Sequence, residues 1–209
     1  LYFDSYNNRL RTLNGIWTDT ETGRKLGVRL HKQFEIEYGA REEWDAREIL
    51  QRYSLDDKYF KLVISKNKGE SQSYVSGVKI LDKKTGELLQ KFDLECQLWA
   101  LENVQTDDYN FDGHTDFSVF ESSYAGPNTS SIYFLYDPAT DSFFQSSFAG
   151  VSLTFDKEKK LIYEHNECCA GSSHMDMTYK VVDNQMVLIE KTCKVYNDET
   201  KDFVKTDCN

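Results

Sequence analysis

Proline is nearly absent from this chain, with two in 209 residues, and no stretch approaches the roughly 18–20 consecutive apolar residues of a membrane-crossing helix. Residues 1–20 also lack the basic and apolar regions of a secretory leader. Positive charge is in deficit: 25 Lys and Arg against 35 Asp and Glu give a formal net charge of −10, which argues against nucleic acid and anionic membrane surfaces as partners. Catalytic signatures are missing as well. The sequence holds no GxSxG, HExxH, P-loop or dinucleotide-binding fingerprint, so its four histidines and 35 acids do not fall into a known catalytic constellation and no enzyme is expected.

Aromatic residues are plentiful. They make up 14% of the chain, with 13 Tyr and 13 Phe, a composition that suits ordered β-sheet and not a disordered chain. A chain of this length buries about 70% of its unfolded surface and builds a core without covalent staples. Four polar turns begin with aspartate: "DTETGR" at 19, "DKKTGE" at 82, "DPATDS" at 137 and "DKEKK" at 156. Each Asp can cap its own backbone, and the first two supply a glycine for positive φ, so each predicts a hairpin. Strands are expected over 75–81, 131–136, 151–155 and 177–193, the last interrupted by a two-residue Asp183-Asn184 turn. Residues 40–53, "AREEWDAREILQRY", read as the one helix, with Trp44, Ile49 and Leu50 on one side. The expected fold is all-β, antiparallel hairpins in a sandwich or irregular propeller-like body with that short helix. Its expected parts are an N-terminal β-rich unit, 1–54, packed on a body at 55–209.

Five cysteines show no CxxC pair, and adjacent Cys168 and Cys169 suit one tetrahedral ion poorly. Disulfides in an oxidising compartment fit better, with at least one thiol left over. Counting outward from the Asp183-Asn184 turn sets His174 opposite Cys193, one loop from Cys168 and Cys169. Cys193 with Cys168 or Cys169 is therefore the expected bridge. The window Glu164, His165, Cys168, Cys169, His174 and Asp176 could also suggest a Cys–His nucleophile or a transition-metal site, readings set below the disulfide.

"DDYNFDGHTD" at 107–116 carries the densest chemistry. Counted from Asp108, side-chain oxygens fall at loop positions 1, 3, 5 and 9 as Asp108, Asn110, Asp112 and Asp116, with Gly113 at position 6. Position 7 is His114, which would offer its backbone carbonyl. This is the spacing of an EF-hand-type Ca²⁺ loop, since calcium takes six to eight hard oxygens and alternate residues of a curled loop point inward. Position 12 is Val119 and not a bidentate glutamate, with Glu121 two residues later. The β-forming flank "FSVFESSY" sets the loop between strands. The alternative is an Asp/Asn/Gly turn with no metal.

One strand further on, "YAGPNTSSIY" at 124–133 is a Gly-, Asn- and Ser-rich loop bracketed by tyrosines. A metal site at one end of the strand would brace it and fix the loop at its other end, as a recognition element requires. An ordinary hairpin connection is the competing reading. Asn128-Thr129-Ser130 also matches a glycosylation sequon, meaningful in a eukaryotic secretory setting.

Taken in order, "VSGVKILDKKTGELLQ" (75–90), "DYNFDGHTDF" (108–117), "GPNTSSIYFLYDPATDSF" (126–143), "CCAGSSH" (168–174) and "MTYKVVDNQMVLI" (177–189) resemble a bacterial family. These are the periplasmic immunity proteins that neutralise lysozyme-like effectors of antibacterial secretion systems, related to periplasmic inhibitors of invertebrate-type lysozyme. The resemblance covers about residues 55–195. It implies a periplasmic protein, any leader or lipid anchor removed, with a structural Ca²⁺. Such a protein inserts a loop into the cleft of a peptidoglycan hydrolase, where small polar residues and a tyrosine block substrate. Ser76-Gly77 and the 124–133 loop compete for that role. The second is preferred, with Tyr124, Asn128, Ser130, Ser131 and Tyr133 as partner-binding residues. The acidic charge suits a basic lysozyme-like partner. The rival classes are a calcium-dependent carbohydrate-binding or adhesive module and an unrecognised hydrolase using the Cys/His window.

Overall fold

The computed structural model describes residues 2–7, 12–31 and 43–208. By contacts the chain divides into two units, Leu1–Ala40 and Arg41–Asn209. The first is a three-stranded antiparallel meander, β1 (Tyr2–Asn7), β2 (Thr12–Thr18) and β3 (Lys25–His31). The second contains three consecutive meanders. One sheet holds β4 (Trp44–Ser54), β5 (Lys58–Lys66), β6 (Tyr74–Asp82) and β7 (Leu88–Gln97). The next holds β8 (Val104–Asp107), β9 (Asp116–Ser123), β10 (Thr129–Asp137) and β11 (Ser142–Gln145). The last holds β12 (Thr154–Asp156), β13 (Leu161–Cys168), β14 (Ser173–Val182), β15 (Gln185–Asn197) and β16 (Asp202–Thr206). Among the described residues the fold is all-β, antiparallel and sandwich-like, with no closed barrel.

Each expected Asp turn joins two strands, and its aspartate caps the backbone. Asp19 Oδ1 accepts the Glu21 and Thr22 N–H groups, Asp82 Oδ1 those of Lys84 and Thr85, Asp137 Oδ1 that of Ala139, and Asp156 Oδ1 that of Lys159. Gly23 and Gly86 take the positive φ, +71° and +73°. Asp183 and Asn184, at φ 49° and 58°, form the primed two-residue turn between β14 and β15. Of the strand expected over 151–155, only its last two residues are in β12.

The middle sheet of the second unit is packed on both faces, which the period-2 alternation of β9 and β10 produces. Phe117 and Phe134 stack at 4.5 Å, and with Phe60, Phe92 and Phe143 they join this sheet to the one before it. On the opposite face Tyr109, Tyr133, Leu135 and Phe148 pack with Ile162 and Phe155 of the last sheet. Side-chain amides complete the first joint. Gln51 Oε1 accepts the Asn103 and Val104 N–H groups at 3.0 and 3.2 Å, and Gln90 exchanges two hydrogen bonds with the Phe143 backbone.

Two expectations are corrected. Residues 44–54 are strand β4 and not a helix, while 40–42 lie outside the described residues. The charges that read as a solvated helical face form a cross-strand ladder instead: Glu48 bridges Lys61 at 2.8 Å and Lys79 at 2.5 Å. Because β4 pairs with β5, residues 44–54 belong to the second unit's first sheet. The disulfide joins Cys193 to Cys208, with Cα atoms 5.4 Å apart, and neither Cys168 nor Cys169 takes part. A bulge between Thr178 and Tyr179 shifts the register by one, so Cys193 faces Met175. On its other side β16 sets Thr206 opposite Cys193 and delivers Cys208.

Candidate functional site

Strand β9 links the two segments singled out in the sequence. Its first residue closes the 108–115 loop, and its last precedes the 124–128 turn. In the loop the side chains of Asp108, Asn110 and Asp112 all turn inward. Asp108 accepts the Asp112 and Gly113 N–H groups at 3.1 and 3.0 Å, Asn110 Oδ1 accepts Asp112 N–H at 3.2 Å, and Asp112 Oδ1 accepts His114 N–H at 2.8 Å. Gly113, at φ +91°, makes the sharp turn. The loop is anchored by Phe111, buried in the aromatic core. Asn110 Nδ2 also donates to Asn184 Oδ1 at 2.9 Å, reaching the β14–β15 turn. Asp107 forms an ion pair with Lys157.

Asp116 is fully buried. Its two carboxylate oxygens accept the backbone N–H groups of Tyr109 and Tyr136, each at 2.8 Å. Burial pushes its pKa up to about 6; those two hydrogen bonds oppose the shift, and the charges of Asp112 and Asp108 add to it. The donor set is oxygen only and rich in carboxylate, the chemistry that suits Ca²⁺, and a divalent cation would offset the repulsion. Val119 is buried in the sheet. Glu121 lies about 17 Å along β9 from Asp116 at the usual strand rise, so it cannot close the loop from position 14. The imidazole of His114 packs 5.6 Å from the Tyr136 ring, and its backbone N–H donates to Asp112 Oδ1 within the loop.

At the far end of β9 the turn is clasped at its base, where Tyr124 N–H donates to Asn128 O at 2.9 Å. Tyr124 is exposed, and its hydroxyl lies 3.1 Å from Ser130 Oγ. Ser130 and Ser131 are half-buried on β10. Asn128 is buried and structural: its Nδ2 donates to Glu167 O at 2.6 Å, and its Oδ1 accepts Glu167 N–H at 3.1 Å. Tyr133 is buried among Tyr109, Phe148 and Phe155, so its ring is not offered to a partner. The rival Ser76-Gly77 segment lies inside β6. Ser76 Oγ is 2.7 Å from Ser65 Oγ, and a Cβ on Gly77 would meet Phe92 O at 2.7 Å, so this glycine permits close strand packing.

No protein-family model matches the chain, and no curated protein matches it. Among solved structures it is similar to one described as a Xanthomonas type IV secretion system related protein. The two share 15% identity over 82% of this chain and 96% of that one, with a TM-score of 0.41, a likeness too distant to carry a functional argument.

A cleft and one residue of the Cys/His window, Glu167, were not assigned from sequence. A cleft of about 490 Å³ runs beside β8 and β9, lined by aromatic Trp99, Phe120, Tyr109 and Phe155 and by hydroxyls including Ser130 and Thr154. No sequence signal finds it, because its walls come from four separate segments. The Cys/His window resolves into distinct parts. Cys168 and Cys169 are exposed thiols with sulfurs 2.8 Å apart. Glu164 is buried and structural, accepting the Val151 N–H at 2.9 Å and the Tyr179 hydroxyl at 2.7 Å. It is Glu167, not Glu164, whose carboxylate stands with His165 and His174. Strand periodicity was the available signal, since residues 165 and 167 share a face.

Proposed function

We propose that this is a non-enzymatic periplasmic protein that binds and inhibits a basic, lysozyme-like peptidoglycan hydrolase, with Ca²⁺ at Asp108, Asn110, Asp112, the His114 carbonyl and Asp116 bracing the binding element. The observation that carries the reading is the placement of Tyr124. Its exposed ring tops a turn clasped by the Asn128 hydrogen bonds, at the opposite end of the same strand from the oxygen-rich loop. An exposed tyrosine held on a rigid base offers large contact area at small entropic cost and a hydroxyl that can reach catalytic carboxylates. The protein's net charge of −10 would steer a basic hydrolase toward it. Ser130 and Ser131 flank the contact, while Asn128 and Tyr133 support it from within.

The test is an activity assay on peptidoglycan with goose-, chicken- and invertebrate-type lysozymes, in calcium and in chelator. Stoichiometric inhibition, weakened by Tyr124→Ala, is the expected result. No complex with any hydrolase would reject it.

The aromatic cleft favours a second reading, a calcium-dependent glycan-binding or adhesive module, because sugar rings stack on aromatic faces while hydroxyls satisfy their polar edges. Affinity for isolated glycans in calcium, with none for hydrolases, would establish it in place of the first.

A further inference from the structure

The hairpin of β13 and β14 sets four ligand-type side chains in a two-by-two array. His165 and Glu167 lie two residues apart on β13 and share a face. Their cross-strand partners on β14 are Asp176 and His174. Within this array the ligand atoms of His165, Glu167 and His174 all lie within 4.8 Å of one another. Three ligands bound about 2.1 Å from a tetrahedral ion stand about 3.4 Å apart, so small rotations of these half-buried side chains bring them onto one ion.

Hydrogen bonding fixes which nitrogens are free. His165 Nδ1 lies 2.7 Å from Asp176 Oδ1, and a carboxylate only accepts, so Nδ1 carries the proton and Nε2 of the neutral ring keeps its lone pair. His174 Nε2 lies 3.1 Å from the Gly171 carbonyl oxygen, which likewise only accepts, so Nδ1 is the free donor. An imidazole whose second nitrogen is held by a carboxylate or backbone carbonyl is the usual outer support of a metal-bound histidine. Gly171 serves twice. A Cβ there would meet Glu167 Oε1 at 3.0 Å, so the missing side chain leaves room for the carboxylate. Phe203 packs edge-on to His174 at 4.5 Å and restricts its ring.

A solvated histidine–aspartate pair accounts for the His165–Asp176 contact, and Lys194, 3.6 Å from Asp176, extends it. It does not account for the convergence of Glu167 and His174 on the same point. We propose that His165, Glu167 and His174 form a divalent transition-metal site, with Zn²⁺ as the fitting ion, Asp176 as a positioning residue and a coordination position open to solvent. Two imidazoles and one carboxylate suit zinc, whereas calcium and magnesium take oxygen alone. The site shares no residue with the 108–116 loop and stands whether or not that loop holds calcium.

Equilibrium dialysis of the oxidised, chelator-treated protein against Zn²⁺ tests it, with Co²⁺ as a spectroscopic probe. The expected result is one Zn²⁺ per chain. Glu167→Gln and His174→Ala should each weaken it at least tenfold, and Asp176→Asn about tenfold. Asp112→Ala and a Cys168→Ser/Cys169→Ser double variant should leave it unchanged, and the Co²⁺ complex should lack a thiolate charge-transfer band. Each variant is checked for an unchanged circular dichroism spectrum. Absence of stoichiometric binding, retention in a His165→Ala/His174→Ala variant, or loss in the cysteine variant would overturn the proposal.

Discussion

The carboxylate of Asp116 accepts the N–H of Tyr136, 20 residues further along the chain, at 2.8 Å. Its other oxygen takes the Tyr109 N–H, so a single side chain ties the loop and the end of β10 to the first residue of β9. It does so with no exposed surface and with Asp108 and Asp112 nearby, which makes its charge costly.

That cost sets a pH dependence. In chelator the folded-state pKa of Asp116, about 6, exceeds the unfolded value near 3.8, so between these the folded protein binds more protons. Asp116's contribution to stability is thus fully present below about pH 4 and is lost as pH rises through about 6. The roughly two units correspond to at most about 3 kcal/mol. Urea unfolding of the wild type and Asp116→Asn at about pH 4 and about pH 7 reads it as a difference of differences. That subtraction removes the opposite trend of Asp19, Asp82, Asp141 and Asp156, whose pKa values are lowered. Parallel profiles for the two proteins would refute the prediction.

The Cys193–Cys208 bridge closes a 15-residue separation that contains the whole of edge strand β16. A Cys193→Ser/Cys208→Ser variant should lose about 3 kcal/mol on the chain-entropy estimate for such a loop. Hydrogen exchange should place the loss at β16 and the C-terminal end of β15. Protection that falls equally in β5 and β9 would contradict a local role.

Hairpins were legible where chemistry is local. An Asp that caps its own turn and a glycine at positive φ act within six residues, so 19–24 and 82–87 could be read directly. Register was less legible, because the bulge at Thr178 and Tyr179 displaces every pair beyond it and so misplaced the partner of Cys193. The 44–54 strand was hidden for a related reason. Glu48 finds its lysines on β5 and β6, 13 and 31 residues away, and no count along one segment shows that. Burial was hidden too: Tyr124 and Tyr133 look alike in sequence and differ only through the sheet that covers one of them.

Those two tyrosines should respond differently to truncation. Tyr133→Ala removes a buried ring from the aromatic core and should cost about 3–5 kcal/mol, seen as a lower urea midpoint. Tyr124→Ala should leave that midpoint within about 0.5 kcal/mol. If the turn is the inhibitory element, it should also weaken a hydrolase complex by about 2 kcal/mol or more, roughly thirtyfold. A large loss of stability in Tyr124→Ala would mean that the ring supports the fold.

Calcium should act on the loop and through it on β9. If Asp108, Asn110, Asp112 and Asp116 hold the ion, calcium at 100 times its dissociation constant should add about 2.7 kcal/mol to stability. Asp112→Ala should abolish that increment. The same variant should change stability in chelator far less, since there it loses two hydrogen bonds within the loop, those that the Asp112 carboxylate accepts from the exposed His114 N–H and from Asn110 Nδ2. A bound divalent cation would also draw the Asp116 pKa down, so calcium should reverse the pH trend described above: stability would rise with pH as the carboxylate ionises against the metal. Thermal unfolding with calcium, magnesium and chelator at two pH values measures both effects at once. An increment that survives Asp112→Ala would place the ion elsewhere, and no increment at all would leave the loop an Asp/Asn/Gly turn held by its own hydrogen bonds.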